Sequence, residues 1–239
     1  SYLGNPGANH TRFQHAIGCM HLMQKAVDNL RFKGRKREKE EENALERESL
    51  RHERGQGKGE HAMERSIVED VHHEAISLLF MNQLNVEFNG QLTLAIQVFK
   101  GEYNRKFMLQ LISSQLDMDR MDYLKRDSFY SGVSEGNINS ERLIQMMNVV
   151  DDVLVIEEKG IYSVEKFLMS RRLMYWQVYL HKTSLVAELI LTKILKRAKE
   201  LTQKGVHLPC SAPLTFFMEN KVTITTFDAE TLDLFAQLD

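Results

Sequence analysis

The chain has 239 residues, of which 43% are hydrophobic and 27% charged. That apolar content is enough for a core and excludes a wholly disordered chain. Its 13 glycines and three prolines are few, which favours long helices over a many-turned β-sandwich or barrel. Lysine and arginine number 31 against 33 acidic residues, a net charge of -2. This balance excludes a globally basic protein, so nucleic acid is not expected as the main substrate.

The sequence also indicates in which cellular compartment the protein is expected. Two cysteines, Cys19 and Cys210, are too few for a disulfide framework and fit a reducing environment. The longest apolar runs fall short of a membrane span, and the first residues show no basic segment followed by an apolar one. We therefore expect a soluble, cytoplasmic protein with no membrane partner.

The apolar spacing predicts a mostly α fold, with one domain over residues 1–239. Two short β-rich runs on either side of Glu158–Gly160 predict a β-hairpin near 153–163, and a strand is predicted at 222–227. Asn139 or Ser140 is a candidate N-cap. The predicted helices, in chain order, cover residues 12–30, 61–82, 92–99, 107–129, 141–150, one long helix near 163–201, and 228–238.

The charge is concentrated in residues 35–60, where 16 of 26 residues are charged. Such a run is typical of a solvated helix or a disordered loop, because it lacks an apolar face to bury. Alternating glycines at 55, 57 and 59 indicate a loop at its end. A linker is the alternative interpretation.

Three polar groupings could carry chemistry. His15 lies at the start of a predicted helix, either as a metal ligand or as a histidine satisfied in the core. A second grouping, spaced by four residues on one helix face, consists of Asp119, Tyr123 and Asp127. It is either a site for a metal or a polar ligand, or a salt-bridged stripe on the surface.

The third grouping is Arg171, Tyr175 and Tyr179, again spaced by four residues. A guanidinium binds phosphate oxygens, and phenols supply hydroxyl donors and a stacking face. The alternative is an ordinary aromatic core stripe.

Together these motifs resemble the HD-domain phosphohydrolases, in particular the dGTPase-like deoxynucleoside triphosphate triphosphohydrolases and their bacterial relatives. The resemblance rests on four stretches in family order: residues 6–18, His73-Glu74, residues 117–127, and residues 171–182. It extends over most of the chain, which we expect to be shortened at both ends relative to the family.

The resemblance implies a role for each matching residue. The metal ligands would be His15, His52, Glu53 and Asp119. The candidates for proton transfer would be His61, Glu64 and His73. The residues that bind phosphates, sugar and base would be Arg12, Arg120, Tyr123, Asp127, Arg171, Tyr175 and Tyr179.

The chain departs from the family pattern at the His-Asp pair. The family has an apolar helix before this pair, whereas here the charged run precedes His52 and Glu53. Either His52 and Glu53 still bind the metal, with geometry shifted by the extra methylene of glutamate, or the metal site is weak or absent. A helix charged all round would bury unpaired charges if it packed into a core.

The implied activity is hydrolysis of a deoxynucleoside triphosphate to a deoxynucleoside and tripolyphosphate, with one divalent ion (Mn, Mg, Fe, Co, Ni or Zn). The alternatives are another HD phosphohydrolase, such as a nucleotide monoesterase or phosphodiesterase, and a catalytically impaired nucleotide-binding module. His181 and Lys182 match family positions used in assembly or effector binding, so we also expect a homo-oligomer.

Overall fold

A computed structural model describes residues 7–34, 39–51 and 73–238 of the chain. The chain divides into two compact units. Unit 1 comprises Ser1–Glu53 and Gly90–Ser184, and unit 2 comprises Arg54–Asn89 and Leu185–Asp239. The prediction of a single domain over 1–239 stays a prediction.

Unit 1 holds most of the described helices and a two-stranded sheet. Its helices and strands are α1 (Arg12–Phe32), α2 (Lys39–Arg51), α4 (Thr93–Phe99), α5 (Lys106–Ile112), α6 (Met118–Ser131), α7 (Ser140–Met146), β1 (Met147–Val150), β2 (Val153–Ile156) and α8 (Ile161–Met174). A turn of π-helix, Tyr175–Tyr179, continues α8.

Unit 2 contains α3 (His73–Glu87), most of α9 (Lys182–Gln203), α10 (Ala212–Glu219) and α11 (Ala229–Ala236). Its apolar core draws on each of these four described helices, with Ile76, Leu195, Phe217 and Phe235 among the buried side chains. Within the residues described, no helix is long and apolar enough to cross a membrane.

The predicted fold class, mostly α with a small β-hairpin, is confirmed, although several boundaries differ. β1 and β2 pair antiparallel around Asp151-Asp152, so the turn precedes the predicted turn at Glu158–Gly160. Asp151 and Asp152 have φ of 50° and 63°, the left-handed conformation that a two-residue hairpin turn requires. Residues 147–150, predicted as helix, therefore form a strand, whereas Ile161 already begins α8.

The long predicted helices are interrupted. The predicted helix 107–129 breaks between α5 and α6, where Asp117 caps the second helix. The predicted helix 163–201 loses its regular hydrogen bonds at Tyr175–Tyr179 and restarts at Lys182. The strand predicted at 222–227 is wrong, because a 3₁₀ turn occupies Ile224–Thr226.

The charged helix α2 packs onto unit 1 instead of remaining fully solvated. Ala44 and Leu45 are buried, and Leu45 joins the core of α1 and α6. The buried carboxylate of Glu41 accepts hydrogen bonds from the Tyr103 hydroxyl (2.7 Å) and the Arg105 guanidinium (2.6 Å). The expectation that this helix would bury unpaired charge is therefore wrong, because partners on a neighbouring segment satisfy Glu41.

Candidate active site

The site is built on α1 and α6, which pack against each other within unit 1. α1 begins with a capping box: Thr11 Oγ1 accepts from the Gln14 amide, and the Gln14 side chain accepts from the Thr11 amide. These bonds satisfy two of the free amides at a helix start. They fix the first turn, from which His15 projects towards α6.

His15 lies between two carboxylates of α6. Its Nε2 is 3.0 Å from Asp119 Oδ1, and its Nδ1 is 2.6 Å from Asp122 Oδ2. His15 and Asp119 each keep 14% of their side-chain surface exposed, so the pair faces a partly open space. His15 and Asp119 thus lie side by side over a sequence separation of 104 residues, and their predicted role as metal ligands stays a prediction.

Asp122 is held from its other side by Arg126. The guanidinium donates from Nε to Oδ2 at 2.7 Å and from Nη2 to Oδ1 at 2.9 Å. Burial alone would raise the pKa of Asp122, but the bonds to His15 and Arg126 outweigh it and lower the pKa. Asp122 is therefore an anion locked behind the imidazole.

A glycine makes this arrangement possible. A Cβ at Gly18 would lie 1.9 Å from Asp122 Oδ1 and 2.4 Å from Arg126 Nη2. Since no side chain fits there, Gly18 allows α6 to approach one turn of α1 closely.

The chemistry of this group fits a divalent cation. Both ring nitrogens of His15 face carboxylate oxygens, and a neutral imidazole has one proton to share between them. With that proton on Nδ1 and donated to Asp122, the Nε2 lone pair faces Asp119, where a cation would join the two. Two ligand atoms at right angles and about 2.1 Å from an ion lie about 3.0 Å apart, and the observed Nε2–Oδ1 separation is 3.0 Å.

Asp122 behaves as the outer partner of such a ligand, since metal-binding histidines ordinarily donate their second nitrogen to a carboxylate. Cys19 completes a group with His15 and Asp122 whose ligand atoms lie within 4.8 Å of one another. Its sulfur is 3.4 Å from Nδ1 and 3.9 Å from Nε2, so it touches both ring nitrogens. Neither Asp122 nor Cys19 was predicted to contact His15.

Asp117 and Arg120 form a second charged pair beside the site. Asp117 caps α6 by accepting from the Arg120 amide at 2.8 Å and also accepts from the Ser114 amide at 2.9 Å. The Arg120 guanidinium bonds to the same carboxylate. Burial raises the pKa of Asp117 to about 6 although these amides oppose the rise.

Three predicted tyrosines line up beside the His15 group. Tyr123 lies edge-on to His15, with ring centroids 6.5 Å apart, and edge-on to Tyr179 at 5.8 Å. Tyr175 meets Tyr179 at 5.2 Å. The Tyr179 hydroxyl donates to Asp127 at 2.5 Å, so the two motifs that carry these residues meet.

Arg171 reaches this row from α8. Its guanidinium donates to Gln115 at 2.8 Å and lies 5.9 Å from the Tyr175 ring centre. Arg12 is the first residue of α1, with an exposed side chain. The predicted substrate-binding residues therefore all lie in unit 1.

Other predicted residues cannot be placed. His52, Glu53, His61 and Glu64 lie outside the described residues. α2 ends at Arg51, directly before His52. His73 is the first residue of α3.

The sequence analysis missed several residues of this site: Cys19, Gln115, Asp122 and Arg126. Asp122 and Arg126 could have been found from the spacing alone. They stand three and seven residues after Asp119, on the helix face that turns towards α1.

The chain is similar to known proteins in sequence and in fold. The family model described as "HD associated region" matches residues 138–208. A crystal structure described as a phosphohydrolase from Bacteroides thetaiotaomicron superposes with a TM-score of 0.95 at 53% identity, covering all of this chain and 60% of that one. The Bacillus subtilis protein YwfO is 38% identical over 237 residues, which cover 95% of this chain and 54% of YwfO.

A third relative carries a more specific name. The Dictyostelium discoideum "Deoxynucleoside triphosphate triphosphohydrolase SAMHD1 homolog" is 27% identical over 216 residues, covering 82% of this chain and 41% of that protein. The chain thus spans about half the length of the curated relatives it matches.

The family-model match and these relatives confirm the resemblance to the HD-domain phosphohydrolases. Within that class, the similarity extends to proteins named as a phosphohydrolase and as a deoxynucleoside triphosphate triphosphohydrolase homologue.

Proposed function

We propose that this chain carries the active site of a metal-dependent phosphohydrolase that converts deoxynucleoside triphosphates to deoxynucleosides and tripolyphosphate. The observation that carries the proposal is His15 held between Asp119 and Asp122. The name of the Dictyostelium relative supports the choice of substrate.

His15 and Asp119 would hold one divalent ion, together with His52 and Glu53. When bound, such an ion polarises a phosphoryl oxygen and lowers the pKa of a bound water towards about 7. Asp122 and Arg126 keep the His15 ring turned so that Nε2 faces Asp119. Because Asp122 remains ionised, it also makes the Nε2 lone pair a stronger metal ligand.

The arginines would receive the phosphates. Arg120 lies on α6, the helix of Tyr123, and Arg171 lies on α8, one turn before Tyr175. Arg12 lies one turn before His15. A fixed positive charge stabilises the negative charge that develops on the transferred phosphoryl group. His61, Glu64 and His73 remain the candidates for protonating the leaving oxygen.

The tyrosine row would receive the nucleoside. Tyr123 and Tyr179 present ring edges and faces beside the His15 group, and Tyr175 is 40% exposed. Aromatic faces stack on nucleobases, and phenol oxygens accept bonds from sugar hydroxyls.

The test is incubation of the purified chain with each deoxynucleoside triphosphate and Mn²⁺, Mg²⁺, Fe²⁺ or Co²⁺ in turn, with products separated by ion-exchange chromatography. We expect metal-dependent release of tripolyphosphate, lost in His15→Ala and kept in His21→Ala. His21 is an exposed histidine of the same helix, so the control removes an equal number of imidazoles.

Two results would contradict the proposal. A folded chain without turnover under any of these conditions would favour a nucleotide-binding module. Release of orthophosphate or pyrophosphate, in place of tripolyphosphate, would favour another phosphoesterase of the same class.

A homo-oligomer and a cytoplasmic location also remain proposals for this chain. Mass measurement in solution, with and without nucleotide, tests the first.

A further inference from the structure

The segment before α1 lies against the C-terminal half of α6, and the residues that make this contact are not the proposed metal ligands. A Cβ at Gly7 would lie 2.7 Å from the Tyr130 carbonyl oxygen, so only glycine fits without displacing the backbone. Three residues later, the His10 ring stacks on the Tyr130 ring with centroids 4.8 Å apart. Gly7 and Tyr130 together thus bring His10 onto α6.

On α6, His10 meets Asp127, one turn before Tyr130. His10 Nε2 is 2.8 Å from Asp127 Oδ1. Its Nδ1 is buried and has no hydrogen-bond partner among the described residues. A neutral His10 therefore carries its proton on Nε2, the nitrogen that faces the carboxylate, and donates it to Asp127.

The second oxygen of Asp127 is also engaged. Oδ2 accepts the Tyr179 hydroxyl at 2.5 Å, and burial, together with the charge of Asp127, raises the pKa of Tyr179. Tyr179 therefore stays protonated and commits its single proton to Asp127. Its ring in turn contacts Tyr123 and Tyr175.

We propose that His10 is a positioning residue that fixes the Asp127 carboxylate and, through it, the Tyr179 side of the nucleoside pocket. Gly7 is the residue that makes this placement possible. The role of the pocket rests on the proposed function, whereas the positioning of Asp127 does not.

The physical reason is the pair of donors on one carboxylate. With His10 and Tyr179 on opposite oxygens, Asp127 cannot rotate without breaking a charge-assisted hydrogen bond. Without His10, only the Tyr179 hydroxyl of these two donors still holds the carboxylate, which then turns towards solvent more easily and leaves Tyr179 without the acceptor that orders its hydroxyl.

The test compares three variants. His10→Phe keeps a ring to stack on Tyr130 but removes the N–H donor, and His10→Gln keeps an N–H donor but removes the ring. Gly7→Ala leaves His10 unchanged and pushes it away from α6. Crystal structures of each variant show the Asp127 carboxylate, and steady-state kinetics with a deoxynucleoside triphosphate give KM and kcat separately.

We expect Asp127 to turn away from Tyr179 in His10→Phe and Gly7→Ala, and KM to rise about tenfold with little change in kcat. His10→Gln should restore both the carboxylate position and KM. Bound metal, measured by plasma emission, should equal that of the wild type in all three variants, because His15 and Asp119 are untouched.

Asp127 in its wild-type position in His10→Phe would overturn the inference, as would His10→Gln behaving like His10→Phe. The position of the Asp127 carboxylate in the crystal structures is measured independently of any hydrolysis. If the wild type hydrolyses no nucleotide while Asp127 still turns in His10→Phe, the proposed function fails and the positioning role stands.

Discussion

Asp122 accepts from His15 Nδ1 at 2.6 Å, on the side of the imidazole opposite to Asp119. This bond leaves Nε2 as the nitrogen available to a cation. Arg126 grips both oxygens of the same carboxylate, so the orientation of His15 depends on a residue that would not itself touch the ion.

Asp122→Asn should therefore weaken metal binding without removing a ligand. Loss of such an outer partner typically lowers metal affinity by about 10–100-fold, and we expect an effect of that size in a Mn²⁺ titration by calorimetry. Asp28→Asn, on the exposed side of α1, is the matched control and should bind Mn²⁺ like the wild type. Equal affinities for both variants would contradict the role given to Asp122.

Gly18→Ala should have two opposite effects on the free energy of unfolding. Alanine raises helix propensity by about 1 kcal/mol over glycine. The new methyl group would overlap Asp122 and Arg126, and overpacking of this kind costs about 1–3 kcal/mol. We expect net destabilisation in urea unfolding and weaker Mn²⁺ binding.

Gly18→Ser should be worse still, since its side chain is larger and lacks the helix propensity of alanine. A more stable Gly18→Ala variant with unchanged metal affinity would show that α1 and α6 do not need this close approach.

Glu41 tests the packing of the charged helix α2. Glu41→Ala leaves Tyr103 and Arg105 without their shared acceptor, which should lower the free energy of unfolding by roughly 1–3 kcal/mol. Glu40→Ala changes an exposed residue on the same turn and should stay within about 0.5 kcal/mol of the wild type. Equal effects from the two variants would mean that α2 is not held by the buried carboxylate.

Asp117 should give the stability a pH dependence. Its pKa is raised from 3.8 to about 6 in the folded chain, so between these values the folded state holds a proton that the unfolded state has lost. The free energy of unfolding should therefore fall as pH rises through this window, by roughly 1–3 kcal/mol.

Asp117→Asn keeps a side chain that can cap α6 but removes the titration. Urea unfolding with EDTA, once below and once above the raised pKa of Asp117, measures the difference between variant and wild type. That difference should shift in favour of the variant at the higher pH. A constant difference would show that Asp117 ionises normally in the folded chain.

The helical class could be predicted because it depends on local apolar spacing, whereas His15 and Asp119, 104 residues apart, could be paired only through the resemblance of their motifs to one family. Residues spaced by four on α6 share a face in any helix, so Asp119, Tyr123 and Asp127 could be grouped before the fold was known. The breaks at Tyr175–Tyr179 and before Asp117 were missed because neither contains a proline or glycine to signal them.

The packing of α2 and the contact of His10 with Asp127 could not be predicted from the sequence, for a different reason. Glu41 is satisfied by residues more than 60 positions away, and His10 meets Asp127 across a still longer stretch of chain. Such partners are fixed by tertiary structure, and the composition of the charged run gave no indication of them.

The most direct test of the account is the anomalous scattering of a Mn²⁺-soaked crystal of the chain. We predict one strong peak within bonding distance of His15 Nε2 and Asp119 Oδ1, absent from a His15→Ala crystal soaked in the same way. A map without a peak at this position, or with its main peak away from His15, would contradict the metal site on which the proposed activity depends.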